Sequence, residues 1–263
     1  MFDFKQRVAV VTGAGTGIGE AIVRQLAQAG ACVVVNDVNA DLATGLCRAL
    51  RDDGAAAIAV PGDSSDLNVI NSMINAATGE FGRLDFAVAN AGITTFGKFI
   101  DYPIEEFQRL VDVNLRGTFF LAQSAARAMI AQNAASVDSA ATSTGRLLLM
   151  SSVTGLQYHP DLAAYAMSKA AIRMLAKSLG AELGVHGITC NAIAPGATST
   201  ERTLADEDYE ATWRELTPTG RASTPSDIAN AAMFLLSPAA AQITGQTLVV
   251  DGGWTCVSPP PAT

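Results

Sequence analysis

Tyr165 and Lys169 stand four residues apart, a spacing that puts both side chains on one face of a helix. A free phenol has a pKa of about 10 and is a poor base at neutral pH. An ammonium beside it favours the phenolate, and such a pair can pass a proton to or from an alcohol oxygen. Packing plus solvation also puts tyrosines and lysines on one helix face, so the pair gains meaning only from its surroundings.

A second group begins at the apolar run Val8-Ala9-Val10-Val11-Thr12, which leads directly into glycines at alternate positions, Gly13, Gly15, Gly17 and Gly19. Short side chains let backbone N–H groups approach a pyrophosphate, and the helix that follows aims its positive end at the phosphates. A strict G-x-G-x-x-G does not fit. T-G-x-x-x-G-x-G does, as Thr12, Gly13, Gly17 and Gly19, with Thr16 and Ile18 inside the turn. Asp37, at the end of the next strand-like run, can accept hydrogen bonds from the hydroxyls of an adenosine ribose and would repel a 2′-phosphate. Neither Thr16 nor Val38 is basic. The predicted cofactor is therefore NAD rather than NADP, and the plain alternative for Asp37 is a solvated turn aspartate.

Holding these groups requires a regular scaffold. Short apolar runs over 8–12, 32–36, 57–60, 84–89, 147–150, 188–193 and 247–250 read as strands covered on both faces. Helical stretches alternate with them: one stopped by Gly30, one capped by Asn39, one opened by Ser65 or Asp66, a long one with Pro103 in its first turn reaching about Ala131, and one over 163–183. Thr224-Pro225-Ser226-Asp227 has cap, proline and acid in the order of a helix start. Alternating strands and helices predict an α/β fold, a parallel sheet with helices on both faces. Residues 132–145, rich in Ala, Ser, Thr and Asn, read as a surface loop, and the proline-rich tail 258–263 as disordered or extended.

Composition narrows the function classes. Of 263 residues 49% are hydrophobic and 16% charged, enough to bury a large core and to exclude a disordered chain. Lys and Arg number 17 against 25 Asp and Glu, a formal net charge of −8, which argues against nucleic-acid partners and a polybasic membrane anchor. No apolar run nears the roughly 18 residues of a membrane span, and the first residues lack an export signal. Four cysteines form no C-x-x-C pair, as expected of free thiols in a reducing cytoplasm. Two histidines and no H-E-x-x-H predict no metal. Gly62-Asp63-Ser64-Ser65-Asp66 lacks the last glycine of a nucleophile elbow.

The ordered set Thr12-Gly13…Gly17-Ile18-Gly19, Ala89-Asn90-Ala91-Gly92, Asp112-Val113-Asn114-Leu115, Ser151-Ser152, Tyr165…Lys169, Pro195-Gly196 and Asp251-Gly252-Gly253 closely resembles the short-chain dehydrogenase/reductase family, across residues 5–254. The resemblance implies a single doubly wound Rossmann domain over 1–263, its seven strands in the order 3-2-1-4-5-6-7. It makes Tyr165 the general acid/base. Lys169 would hold the nicotinamide ribose hydroxyls, and Ser152, which fits the family spacing better than Ser151, would bond the substrate oxygen. Asn114 would hold a water linking Lys169 to solvent, at a local break in its helix. Asn90, Ala91 and Gly92 would lie along the cofactor, Asp63 and Ser64 near its adenine, and Pro195, Gly196, Thr198 and Thr200 beside its nicotinamide. The resemblance also implies a homo-oligomer, a dimer of dimers built on the long helix and the Tyr165 helix, with Leu248-Val249-Val250 as a second contact.

The substrate lid would fall at about 198–220. It carries Arg202, Asp206, Glu207, Asp208, Tyr209, Trp213 and Arg214, a polar, acid-bearing set that suits a small hydroxylated substrate. Thr94, Thr95, Gln157, Tyr158 and His159 are expected around the pocket, although His159, before Pro160, also reads as a surface residue, and His186 lies away from the chemistry. The favoured reading is NAD-linked oxidation of a sugar, polyol or other secondary alcohol. The alternatives are reduction of a 3-oxoacyl thioester and, from another class, a catalytically silent dinucleotide-binding protein.

Overall fold

The computed structural model describes residues 2–135, 145–203 and 205–257. Its first strand, β1 (Val8–Val11), is buried throughout. Side chains on a strand alternate between faces; Ala9 and Val11 enter one core layer, Val8 and Val10 the other. Burial on both faces is why the run shows no polar alternation. The other strands are β2 (Cys32–Val35), β3 (Ala57–Ala59), β4 (Phe86–Ala89), β5 (Arg146–Met150), β6 (Thr189–Pro195) and β7 (Thr247–Val250). They form one seven-stranded sheet in the predicted order, β3-β2-β1-β4-β5-β6-β7, with parallel neighbours throughout.

The helices are α1 (Gly17–Gln28), α2 (Ala40–Asp52), α3 (Leu67–Glu80), α4 (Ile104–Val111), α5 (Thr118–Ala135), α6 (Ala163–Glu182), α7 (Tyr209–Leu216), α8 (Pro225–Leu236) and α9 (Trp254–Val257). Residues of α1, α2 and α8 fill the core on one face of the sheet, and residues of α3, α5 and α6 the core on the other. Several starts follow the sequence signals. Asn39 accepts from the amides of Asp41 and Leu42, Asp66 rather than Ser65 caps α3, and Thr224 with Asp227 completes a capping box on α8.

The local break expected in the helix at Asn114 is present, as a π segment over Asp112–Gly117 between α4 and α5. Two other expectations need correction. Pro103 caps α4 from just outside instead of sitting in its first turn. And α5 continues through Ala135, so 132–135 are helix rather than loop. Alanine favours the helix, and Gln132 is anchored by accepting the amide of Leu84 at 2.8 Å. Residues 136–144 of the expected loop and the tail 258–263 lie outside the described residues.

Candidate active site

Nearly every residue singled out for function follows the C-terminal end of a strand, the edge where open parallel sheets bind ligands. Gly13–Gly19 follow β1, Asp37 follows β2, Asp63 and Ser64 follow β3, Asn90–Gly92 follow β4, Ser151 and Ser152 follow β5, and Gly196–Thr200 follow β6. Tyr165 and Lys169 arrive on α6, and Asn114 in the π segment.

Two cavities share this edge. A cleft of about 610 Å³ is lined by Gly13, Thr16, Asp37, Asp63, Ser64 and Ala91, among others. A smaller one of about 190 Å³ is lined by Ile18, Ser152, Tyr165, Lys169, Pro195, Gly196, Thr198 and Thr200, with residues discussed below. Asn90 and Gly92 line both.

The larger cleft fits a dinucleotide. Thr16 makes no side-chain cap on α1, so the positive end of that helix is open to an anion. The turn before it is closely fitted. The Thr12 hydroxyl accepts the amides of Asn90 and Ala91, both at 3.1 Å. The Asn90 amide nitrogen donates to the carbonyls of Thr12 and Gly13, at 3.0 and 2.8 Å. Gly13 has a positive φ of 58°, and a Cβ there would stand 2.8 Å from the Ala91 Cα, so no other residue fits. Asp37 is fixed over the turn. Its Oδ2 accepts the Gly15 amide at 2.9 Å and its Oδ1 the Asn39 amide at 2.9 Å. Asp63 accepts both the amide and the hydroxyl of Ser65 at 2.8 Å, which orients the end of β3 towards the cleft.

In the smaller cavity the adjacent serines separate by role. Ser151 donates its hydroxyl to the Lys169 carbonyl at 2.7 Å and is spent on holding α6 to β5. Ser152 Oγ accepts from the Thr154 amide at 3.2 Å and the Thr154 hydroxyl at 3.0 Å. That fills its lone pairs and leaves its own proton for a ligand oxygen. Lys169 is 3% exposed, donates from Nζ to the Met150 carbonyl at 2.8 Å, and stands 5.6 Å from the centre of the Tyr165 ring. Burial pulls the Lys169 ammonium below its ordinary range; the Tyr165 charge opposes this and Arg202 adds to it.

Asn114 is fully buried. Its Oδ1 accepts the Ile93 amide at 2.8 Å, and its Nδ2 donates to the Ile93 carbonyl at 3.0 Å and to Ser168 Oγ at 3.1 Å. Ser168 in turn donates to the Tyr165 carbonyl at 2.7 Å. The side chain thus braces the loop after β4 against α6, a role that spacing alone did not suggest. The π segment matters here, because its extra residue per turn changes the direction in which its side chains leave the helix.

The lid differs from expectation. Asp206, Glu207 and Asp208 stay exposed in water and do not line the cavity; Arg202, Thr203 and Tyr209 do. The Tyr209 hydroxyl accepts the Thr198 amide at 3.0 Å and reaches the Thr198 carbonyl at 3.4 Å. Thr203 Oγ1 also donates to that carbonyl at 3.0 Å, so both backbone groups of Thr198, a residue the resemblance places beside the nicotinamide, have partners within the lid. Thr203 Oγ1 accepts the Thr200 amide at 2.7 Å. Trp213 on α7 packs edge-on against buried Trp254 on α9, ring centres 5.0 Å apart. Of the other expected liners, Thr94 faces the cavity. Thr95 instead bonds Tyr102, and Gln157, Tyr158 and His159 are not among the lining residues.

Residues 13–255 match the family described as Enoyl-(Acyl carrier protein) reductase. L-rhamnose 1-dehydrogenase (NAD(P)(+)) of Sphingomonas sp. strain SKA58 is 37% identical over 251 residues, 94% of this chain and 95% of that protein. Among solved structures, a short-chain type dehydrogenase/reductase from Mycobacterium marinum superposes with a TM-score of 0.88 at 35% identity, over 97% of this chain and 98% of that one. A gluconate 5-dehydrogenase from Burkholderia cenocepacia J2315, in complex with NADP and tartrate, gives 0.87 at 35% identity over 97% of both chains.

Proposed function

Because the chain belongs to the short-chain dehydrogenase/reductase family, we propose that it is an NAD-dependent oxidoreductase acting on a secondary alcohol or its carbonyl, with a sugar, polyol or other small hydroxylated compound as substrate. The observation that carries this is the meeting of Ser152, Tyr165 and Lys169 around one cavity of about 190 Å³ that shares Asn90 and Gly92 with the cleft holding Asp37. Bound NAD supplies the hydride acceptor. Ser152 donates its free proton to the substrate oxygen and fixes its position. Tyr165 takes the alcohol proton as the carbon is oxidised, and Lys169 holds positive charge beside it, which favours the phenolate. Gly13, Thr16, Gly17, Ile18 and Gly19 cradle the pyrophosphate, Asp37 takes the adenosine ribose, Asp63 and Ser64 border the adenine, and Asn90, Ala91 and Gly92 follow the chain between. Pro195, Gly196, Thr198 and Thr200 border the nicotinamide, and Asn114 braces the loop and helix that flank it.

The Asp37 carboxylate, held beside the turn by Gly15 and Asn39, supports NAD over NADP. The polar lining of Thr94, Arg202, Thr203 and Tyr209 supports a hydroxylated substrate over a long acyl thioester. The rhamnose and gluconate relatives point the same way. The enzyme is further proposed to be a cytoplasmic homo-oligomer. All four cysteines are free, and no described helix is long and apolar enough to cross a membrane. An apolar hollow formed by Val111, Leu115, Phe119, Ala171 and Met174 lies open on the helices expected to pair.

The test is kcat/KM with both nucleotides on a panel of aldoses, polyols, simple ketones and acetoacetyl thioesters. Turnover of the hydroxylated members with NAD is expected. Activity confined to thioesters, or a clear preference for NADP, overturns the corresponding part.

A further inference from the structure

Arg202 is the lid residue whose charge has no evident use in the proton relay. It lines the smaller cavity together with Thr94, and neither residue lines the larger, dinucleotide-sized cleft. Its Nη2 stands 3.4 Å from the Thr94 hydroxyl, beyond the usual length of such a bond. A guanidinium carries five N–H donors, so this one long contact leaves the fork available. Among the described residues no carboxylate lies within ion-pair distance of it. The neighbouring acid, Glu201, is turned towards Gly17, where a Cβ would stand 3.7 Å from its Oε2.

The charge of the cavity lining is one-sided. Among the described residues, Lys169 and Arg202 are its lining cations and no Asp or Glu lines it, in a chain whose net charge is −8. Two cations facing one small cavity repel each other, and the balance improves when an anion enters. Lys169 is buried beside Tyr165; Arg202, exposed to solvent, faces the same cavity from the lid. A planar fork matches a carboxylate with two parallel bonds.

Resting on the oxidoreductase reading above, we propose that Arg202 makes this a hydroxy-acid enzyme, binding a substrate carboxylate with its guanidinium while Ser152 and Tyr165 hold the reacting hydroxyl in the same cavity.

The experiment uses matched pairs that differ only in the charged group: gluconate with glucitol, and 3-hydroxybutyrate with butane-1,3-diol, each with wild type, Arg202→Gln and Arg202→Lys. Wild type is expected to favour the acid of an active pair. Arg202→Gln should lower the acid-to-neutral ratio of kcat/KM by about 10- to 100-fold, the effect of losing a charged hydrogen-bond partner, mainly through KM. Arg202→Lys should restore part of it. A ratio that Arg202→Gln leaves unchanged, or a wild type that prefers the neutral member, overturns the inference and leaves the oxidoreductase reading standing. Turnover of neither member of any pair, nor of any panel alcohol, overturns that reading instead. The inference is then decided by titrating NADH-bound protein with gluconate and with 3-hydroxybutyrate: weaker binding to Arg202→Gln supports it, and equal binding or none overturns it.

Discussion

Gly19→Ala perturbs the nucleotide-binding turn with a single methyl group. A Cβ at Gly19 would stand 2.2 Å from the Gly13 carbonyl oxygen, 2.5 Å from Asn90 Nδ2 and 2.8 Å from the Ala14 Cα. Two of these are backbone atoms of the turn itself, and the third belongs to the amide that staples the turn to the end of β4 through Thr12 and Gly13. The methyl must push the turn away from α1 or break the staple. Overpacking of about 1–3 kcal/mol and two disrupted hydrogen bonds of about 1 kcal/mol each put the loss of stability near 3–5 kcal/mol. Gly45→Ala supplies the opposite sign. Gly45 sits exposed within α2 with nothing within 4 Å of an added Cβ, so alanine should stabilise by about 0.5–1 kcal/mol. Urea unfolding followed by tryptophan fluorescence reads both variants, and NADH titration reads the turn. Gly19→Ala should unfold earlier and lose NADH affinity, while Gly45→Ala unfolds later with affinity intact. A Gly19→Ala protein with wild-type stability and NADH binding refutes this account of the turn.

Burial disfavours the charged form of Lys169, so the folded state releases that proton at a lower pH than the unfolded chain, whose lysines titrate near ~10.4. Between those values the unfolded state binds more protons and wild-type stability rises with pH. Lys169→Met should therefore abolish turnover yet raise the melting temperature of the nucleotide-free protein at pH 7, a gain that shrinks in alkaline buffer; destabilisation at pH 7 contradicts it. Hydrogen bonding from Arg221 holds the Asp227 carboxyl well below the usual carboxylate range, so its contribution is present at neutral pH and fades in acid. Asp227→Asn should lower the melting temperature at pH 7 and progressively less below about pH 4, and a deficit independent of pH contradicts this. Tyr209→Phe frees the Thr198 amide, while the Thr198 carbonyl keeps its bond from Thr203 Oγ1, and should lower KM for NAD by about 2- to 10-fold; a raised KM means that the phenol belongs to the bound state.

The sheet was legible because its strands are covered on both faces. Continuous apolar runs bounded by Gly, Asp and Asn mark such strands, and parallel pairing follows once helices alternate with them, whereas the strand order came from the resemblance. Caps were legible where a side chain bonds its own neighbourhood, as at Asn39 and Thr224. Leu84 is buried like strand residues, yet β4 begins at Phe86. Leu84 donates its amide to Gln132, and the Asp85 carboxylate accepts from Arg7 and the Val8 amide, and such distant partners leave no local pattern. The same reason hides the site's outer wall. Tyr165 and Lys169 stand out by their spacing and Ser152 through the family resemblance, but Arg202 and Tyr209 reach the cavity only through the path of the lid. Their types, in a charged stretch, read equally well as a solvated surface. The bracing by Asn114 depends on Ile93 and Ser168, distant in sequence.

With the Tyr165 hydroxyl as the proton acceptor for alcohol oxidation at a bound nicotinamide, Tyr165→Phe should lose turnover and keep the cofactor. NADH formation by wild type and Tyr165→Phe on the best substrate of the panel, alongside NADH binding to each, measures this. A fall in kcat of about 10²- to 10⁴-fold, the usual worth of a general base, with NADH binding retained, is expected. Turnover by Tyr165→Phe within a few-fold of wild type would contradict it.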